Sequence, residues 1–440
     1  MSSLVQGHFE SLKSPGSSER TRDDSSRGKL QKRVQKKSDP SRAPVFLTVV
    51  LVLLVAGLGF LFAYTSATKS YIQATQSNVP LIPDWREALE WLGKNTPETG
   101  VDYLAISDPK TFEYPGQSYG VMSWWDYGHM ITYIAKRIPN ANPFQQGVAG
   151  PDGAAAYFIT TSEDAANDIL DHDGTRYVVT DILMDASKFP AMATWYNSSL
   201  AVDPYMKYMF IPGSDDPNRL EPRFLNTEQY YLTMVSRLHN FDGSMTPATT
   251  VYYVEYSDPG VTGVSLPVVT NAKAMNATAA VQSADQFNRK APAGYHALAL
   301  GTSLVNPVGD IPALRHYRLI HEFPTNVFNA KTPDVKYVKV FEYVKGAHIK
   351  GNGIIELPLV SNTGRNFTYR QESIDGEFVV PFSTTGNPYG GTATGNYRFR
   401  SGVRGTGIGG NAGQLRQLTI PFFFIDYGLL RSIISAPIRS

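Results

Sequence analysis

The chain contains no cysteine among its 440 residues. Disulfide staples, thiol nucleophiles and cysteine-based metal sites are therefore excluded, and a domain outside the cytoplasm would have to hold through its packed core alone. Net charge is nearly absent as well. The 40 Lys+Arg against 39 Asp+Glu leave +1, which gives no footprint for nucleic acid. The eight histidines show neither His-x-x-x-His nor His-Glu-x-x-His spacing. His316 and His321 therefore read as structural, and the acidic clusters Asp171-His172-Asp173 and Asp215-Asp216 read as solvated turns. Tryptophan is scarce at five, so wherever two fall together the position carries information.

Long hydrophobic runs are missing, with one exception. Residues 45–64, VFLTVVLVLLVAGLGFLFAY, run without a charge. Twenty residues at 1.5 Å each span a hydrocarbon core of about 30 Å. Ahead of this run lie Arg27, Lys29, Lys32, Arg33, Lys36, Lys37 and Arg42, which predicts a cytoplasmic N-terminus and an extracellular remainder. A long signal peptide cleaved near Ser66-Ala67-Thr68 is the alternative, but its apolar region would be overlong and its leader unusually polar. The expected organisation is thus a flexible basic segment at 1–43, a transmembrane helix at 44–66 and an extracytoplasmic α+β portion in a single-pass cell-membrane protein.

Within that portion, Asp84 is expected to cap a helix, with Glu87 completing a capping box and Gly93 ending the run. Trp85, Ala88, Leu89 and Leu92 share one face, as core. A strand is expected between 114 and 125, then a helix from 129 to 136. Ser162 should cap a helix reaching about Leu170, followed by the strand RYVVT. Ser187 is read as the cap of the next helix, placing Pro190 in its first turn and Lys188 and Met192 on one face. Helices and strands alternate through a mixed α/β core at 67–334. Short β-branched runs separated by turns predict a small antiparallel sandwich or barrel at 335–400. The tail at 401–440 has no structural reading.

The informative tryptophans stand in Trp124-Trp125-Asp126-Tyr127-Gly128. Five specified residues in that order arise by chance roughly once in 10⁵ chains of this composition. The motif occupies a strand-to-helix turn, where side chains and backbone N–H groups can converge on a ligand.

The pentapeptide resembles the hallmark of the oligosaccharyltransferase catalytic subunit. Asp185, Lys188 and Met192 match that family's second motif, Asp-x-x-Lys-x-x-x-Met. The segments at 137–147, 314–322 and 338–351 resemble its archaeal branch. The resemblance implies a glycosyltransferase acting in protein N-glycosylation, which moves a lipid-linked (dolichyl phosphate or diphosphate) oligosaccharide to the asparagine of Asn-X-Ser/Thr. It further implies that Trp124, Trp125, Asp126, Lys188 and Met192 contact the acceptor's Ser/Thr, with Tyr127, Gly128 and Asp185 in support. Its partners would be the acceptor polypeptide, the lipid-linked glycan and the membrane, with no nucleic acid. The family's Mn or Mg is held by acidic residues of a multi-span N-terminal region. The chain is therefore expected to correspond to the C-terminal portion, with no catalytic or metal residues of its own. Two rival expectations are a non-catalytic anchored sequon-binding paralogue and an unrelated envelope protein. Three sequons, at Asn197, Asn276 and Asn366, occur at about the chance frequency.

Overall fold

The computed structural model describes residues 43–76, 81–108, 110–213, 216, 219–400 and 416–418. Two compact units divide the chain, at 1–78 and 79–440. The expectations for residues 1–42, and for the tail apart from 416–418, lie outside the described residues.

In the first unit, helix α1 (Ala43–Gln76) is longer than the predicted 44–66. Its stretch Phe46–Ile72, of mean hydropathy 2.8, is long and apolar enough to cross a membrane by length and composition.

The second unit begins with α2 (Leu81–Asn95), which buries Trp85, Ala88, Leu89 and Leu92 as their helical spacing requires. Its start corrects the sequence reading. Asp84 lies inside the first turn and does not cap it; Glu87 meets His321 at 3.0 Å in place of closing a capping box. Gly93 does not end the helix either: a Cβ there would meet Ala135 O at 2.9 Å, so the glycine permits close packing. The helix end is closed by Arg137. This fully buried guanidinium donates to Gly93 O at 3.0 Å, Thr96 O at 2.8 Å and Lys136 O at 2.7 Å, taking up carbonyls that a helix terminus leaves open.

Strands β1 (Gly120–Met122), β2 (Ile138–Pro139) and β3 (Thr175–Asp181) are parallel, with β1 between the other two. Helix α3 (Glu163–His172) leads into β3, and Ser162 caps it through Ala165 N, as predicted. From Tyr177 to Asp181 β3 is buried on both faces, hence the consecutive apolar residues Tyr177, Val178 and Val179. Helix α4 (Phe189–Tyr196) follows, with Lys188 at its cap, one residue beyond the predicted Ser187.

A second sheet, in order β5-β4-β7-β6-β8, is built from β4 (Met206–Pro212), β5 (Leu220–Asn226), β6 (Thr250–Ser257), β7 (Val268–Asn276) and β8 (Tyr295–Leu300). Helix α5 (Ala277–Asn288) packs on β6 and β8.

The first sheet is completed late in the chain. β9 (Tyr317–Glu322) and β10 (Val338–Tyr343) extend it antiparallel, giving β2-β1-β3-β10-β9. The run KYVKVFEYV, assigned from sequence to the β module beginning at 335, thus belongs to the central sheet. The module's own strands start at β11 (Ala347–Lys350), which pairs β14 (Glu377–Val380). β12 (Ile354–Val360), β13 (Asn366–Glu372), β15 (Thr392–Ala393), β16 (Tyr397–Arg400) and β17 (Arg416–Leu418) form its larger antiparallel sheet. Arg365, just before β13, joins module to core: it bonds Asp242 at 2.7 Å and Glu322 at 3.0 Å. Across β3, β10 and β9, buried Glu342 accepts from Arg176 at 3.1 Å and Arg318 at 2.7 Å, so each charge is paired out of water.

Candidate functional site at the ends of β1 and β3

In the order β2-β1-β3 the chain leaves β1 for β2 on one side and later returns to β3 on the other, a change of direction at β1. Open parallel sheets place ligands at such a switch point. Both sequence motifs arrive there, one after each strand.

After β1, Trp125–Tyr127 form a 3-10 turn, Gly128–Met130 an α turn, and Ile131–Ala135 a π turn. The helix predicted at 129–136 is thus a composite that widens as it goes, and insertions of this kind favour functional positions. Gly128 is required by close approach: a Cβ there would lie 2.3 Å from Ala141 O and 2.6 Å from Asn142 Cα. The turn is thereby wedged against the 141–142 segment, which aims Asp126 and Tyr127.

After β3, the chain ends its strand on Asp181 and turns at once into a short helix, Ile182–Asp185, capped by Asp181 Oδ1 accepting from Met184 N at 2.7 Å. Its Oδ2 accepts from the Trp85 indole at 2.8 Å and from the Tyr127 hydroxyl. Tyr127 stacks on Trp85 with centroids 3.9 Å apart and planes at 18°. Burial raises the Tyr127 hydroxyl pKa above its usual value, reinforced by Asp181, so the phenol stays neutral and donates. Burial likewise raises Asp181, against the hydrogen bonds it accepts.

The two motifs meet through Lys188. Its Nζ donates to Tyr127 Oη at 2.6 Å, pairs with Asp126 Oδ2 at 2.7 Å and sits 4.0 Å from the Tyr127 ring centroid. Asp126 is thus gripped by one oxygen only. Its other oxygen, Oδ1, is buried and has no hydrogen-bond partner. Trp124 is buried and Trp125 half-buried, with rings tilted at 54°. Among the described residues, neither indole N–H makes a hydrogen bond.

Of the residues singled out from sequence, Asp126, Tyr127 and Lys188 are therefore in direct contact, with Trp124 and Trp125 adjoining. Met192 lies one turn beyond Lys188, its N–H donating to Lys188 O at 3.0 Å, but its side chain is fully buried in the core. Asp185 is also fully buried and turns to Tyr230 at 2.7 Å and Asn240 at 2.9 Å. Burial raises its pKa to about 6. Sequence reasoning missed Asp181. The available signal was an acid ending a buried β run directly before ILMD. It also took Trp85 as core without seeing that its indole N–H serves that acid.

Among the described residues, no group of three or more His, Asp or Glu side chains is placed to hold a metal ion. His172 and Asp173 contact each other at 3.0 Å, and Asp171 reaches Lys345 at 3.2 Å. These are surface pairs.

Two segments of the chain match known family models. Residues 82–185 match the AglB core domain, and residues 346–412 match the archaeal glycosylation protein B long peripheral domain. A dolichyl-monophosphooligosaccharide–protein glycotransferase of Haloferax volcanii is 28% identical over 80% of this chain and 39% of its own. Dolichyl-phosphooligosaccharide-protein glycotransferase 3 of Archaeoglobus fulgidus is 30% identical over 73% of this chain and 41% of its own. An A. fulgidus oligosaccharyltransferase crystallised with a tethered acceptor peptide containing an NVT sequon superposes with TM-score 0.50, at 25% identity, over 78% of this chain and 42% of that one. The same enzyme with Zn and sulfate gives 0.51 at 24% identity over 78% and 45%, a likeness of fold. The chain is related to the protein glycotransferases, a glycosyltransferase family. More narrowly, it resembles the archaeal oligosaccharyltransferase catalytic subunit, whose core and long peripheral domains it carries. It spans about two-fifths of the length of these curated relatives.

Proposed function

We propose that this chain is the acceptor-reading portion of an archaeal oligosaccharyltransferase, and that Trp124, Trp125, Asp126 and Lys188 hold the Ser/Thr hydroxyl of Asn-X-Ser/Thr. The observation that carries the reading is the Asp126 carboxylate, fixed by Lys188 through Oδ2 while Oδ1 is buried and unpartnered. A buried acceptor without a donor costs stability, so its retention calls for a ligand that supplies one. A serine or threonine hydroxyl donates to Oδ1 and accepts from an indole N–H of Trp124 or Trp125. Tyr127 and Gly128 support by aiming Asp126. Met192, closed off in the core, would shape the pocket floor from beneath, and Asp185 would brace the segment that carries Lys188.

Discrimination follows from the same geometry. A peptide with alanine in place of threonine leaves these groups unpaired, costing about 1–3 kcal/mol per group, or roughly tenfold per 1.4 kcal/mol. In the whole reaction the asparagine carboxamide nitrogen displaces the lipid phosphate at the glycan's anomeric carbon. The described side chains here fit no divalent ion, so the Mn or Mg of the family would be held outside them, and this chain's part is positioning. The proposed site faces the cell exterior, with the basic N-terminus in the cytoplasm.

The test is photo-cross-linking of an Asn-X-Thr peptide and its Asn-X-Ala twin to the full chain in detergent. Preferential capture of the threonine peptide, lost in Asp126→Ala, is expected. Equal capture of both would sink the reading.

A further inference from the structure

We propose that the folded chain is itself a glycan acceptor at a single position, Asn197, and that its other two sequons are closed by secondary structure. The three have the same sequence pattern but three different backbones. Asn197 follows the last residue of α4 and heads an exposed turn in which Asn197, Ser198, Ser199 and Leu200 are all exposed. Its side-chain Oδ1 accepts from Ser199 N at 3.0 Å and Leu200 N at 3.2 Å. This Asx turn folds the asparagine side chain back over the serine two residues on. Asn197 closes the last turn of α4 through its N–H to Ala193 O at 2.9 Å and accepts from Ala201 N at 2.8 Å, while among the described residues Ser198 and Ser199 make no ladder or helix bond. Among the described residues, neither Asn197 Nδ2 nor the Ser199 hydroxyl makes a hydrogen bond, so both groups that an acceptor site must grip face solvent.

Asn276 shares the Asx contact, accepting from Thr278 N at 3.0 Å, but there it is the cap of α5. Ala277 is buried and Thr278 belongs to the first turn of the helix. Asn276 and Thr278 are both exposed, but the sequon is the capped start of a twelve-residue helix, so drawing it into an acceptor site breaks that cap and the first turn behind it. Asn366 and Thr368 share one face of β13, but both are held in register against β12, opposite Val360 and Pro358. Thr368 O also accepts from Ser244 Oγ at 2.9 Å. Presenting either of these sequons in a bent conformation means unwinding a helix end or peeling a strand.

In the step itself, Asn197 Nδ2 bonds to the anomeric carbon of a polyprenyl-phosphate-linked oligosaccharide. The bond from that carbon to the phosphate oxygen breaks, the lipid phosphate leaves with the electron pair, and one amide proton passes to solvent. Oδ1 is untouched, so the turn survives modification. The catalyst is a complete oligosaccharyltransferase supplied separately, which makes this inference independent of whether the present chain reads sequons.

The experiment incubates the purified full chain with a complete archaeal oligosaccharyltransferase and its lipid-linked oligosaccharide, folded in one arm and denatured then diluted in the other. Glycopeptide mass spectrometry reads occupancy at each asparagine. Folded chain should carry glycan at Asn197 at least tenfold above Asn276 and Asn366, with Ser199→Thr raising the Asn197 signal and Asn197→Gln abolishing it. The denatured arm should lose this selectivity. An unmodified Asn197 in the folded chain, whatever the denatured arm gives, or comparable occupancy at Asn276 or Asn366, would overturn the proposal.

Discussion

Replacing Asp181 by asparagine should separate the scaffold of the site from its reading surface. The native carboxylate accepts three times, from Met184 N at 2.7 Å, the Trp85 indole at 2.8 Å and the Tyr127 hydroxyl. An amide offers one oxygen. If that oxygen stays with Trp85 and Tyr127, the NH₂ is forced against Met184 N–H and the cap of Ile182–Asp185 is lost, at about 0.5–2 kcal/mol. If it turns to Met184, two buried donors face another donor, at about 1–3 kcal/mol for each group left unsatisfied. Either way Asp181→Asn should cost about 2–4 kcal/mol in chemical denaturation of the full chain in detergent, followed by tryptophan fluorescence. Asp126→Ala supplies the contrast. Its carboxylate is part-exposed and paired with a part-exposed lysine, so its removal should cost under about 1 kcal/mol while abolishing peptide selectivity. The Asp181→Asn variant should also lose capture where it remains folded, because Tyr127 then no longer fixes Lys188. Asp181→Asn within about 0.5 kcal/mol of the native chain, with capture intact, would refute the idea that Asp181 anchors both motifs.

Gly128→Ala should cost about 1–3 kcal/mol in the same denaturation, since its methyl would meet the backbone of Ala141 and Asn142 well inside contact distance; a neutral result would mean that segment can retreat. Asp185 gives a pH signature. With a folded pKa of about 6 against 3.8 for the free group, its contribution is full below about pH 4 and lost as the pH rises through 6. Relative to Asp185→Asn, the native chain should therefore gain about 2 kcal/mol between pH 7 and pH 4.5, and a difference that is flat with pH would contradict the raised pKa.

Much of the site was legible because its chemistry is local. WWDYG and the 185–192 motif are contiguous strings, and the register of α2 follows from its apolar spacing. What was not legible depends on partners distant in sequence. Asp84 and Glu87 satisfy the capping-box pattern, yet the helix starts a turn earlier, leaving Asp84 buried with its pKa raised to about 6. Nothing within β10 distinguishes it from the module strands it precedes; only pairing with β3 does. Asp181 is ordinary in sequence and becomes central because Trp85 and Tyr127 reach it from 96 and 54 residues away. The closure of Met192 and Asp185 into the core is likewise invisible to spacing, which shows a shared face and not its depth.

The antiparallel completion of the central sheet has a consequence in time. β3 carries Asp181 at its end, yet its second neighbour, β10, is supplied so late that Arg176 and Glu342, which pair across the two strands, are 166 positions apart. Such long-range closure is slow and has to wait for the downstream chain. During synthesis at about 5–20 residues per second, a ribosome that has finished both motifs still has roughly ten to thirty seconds of translation before β10 can dock. The crossed central sheet is thus among the last parts of the domain to close, well after the residues of both motifs have been synthesised.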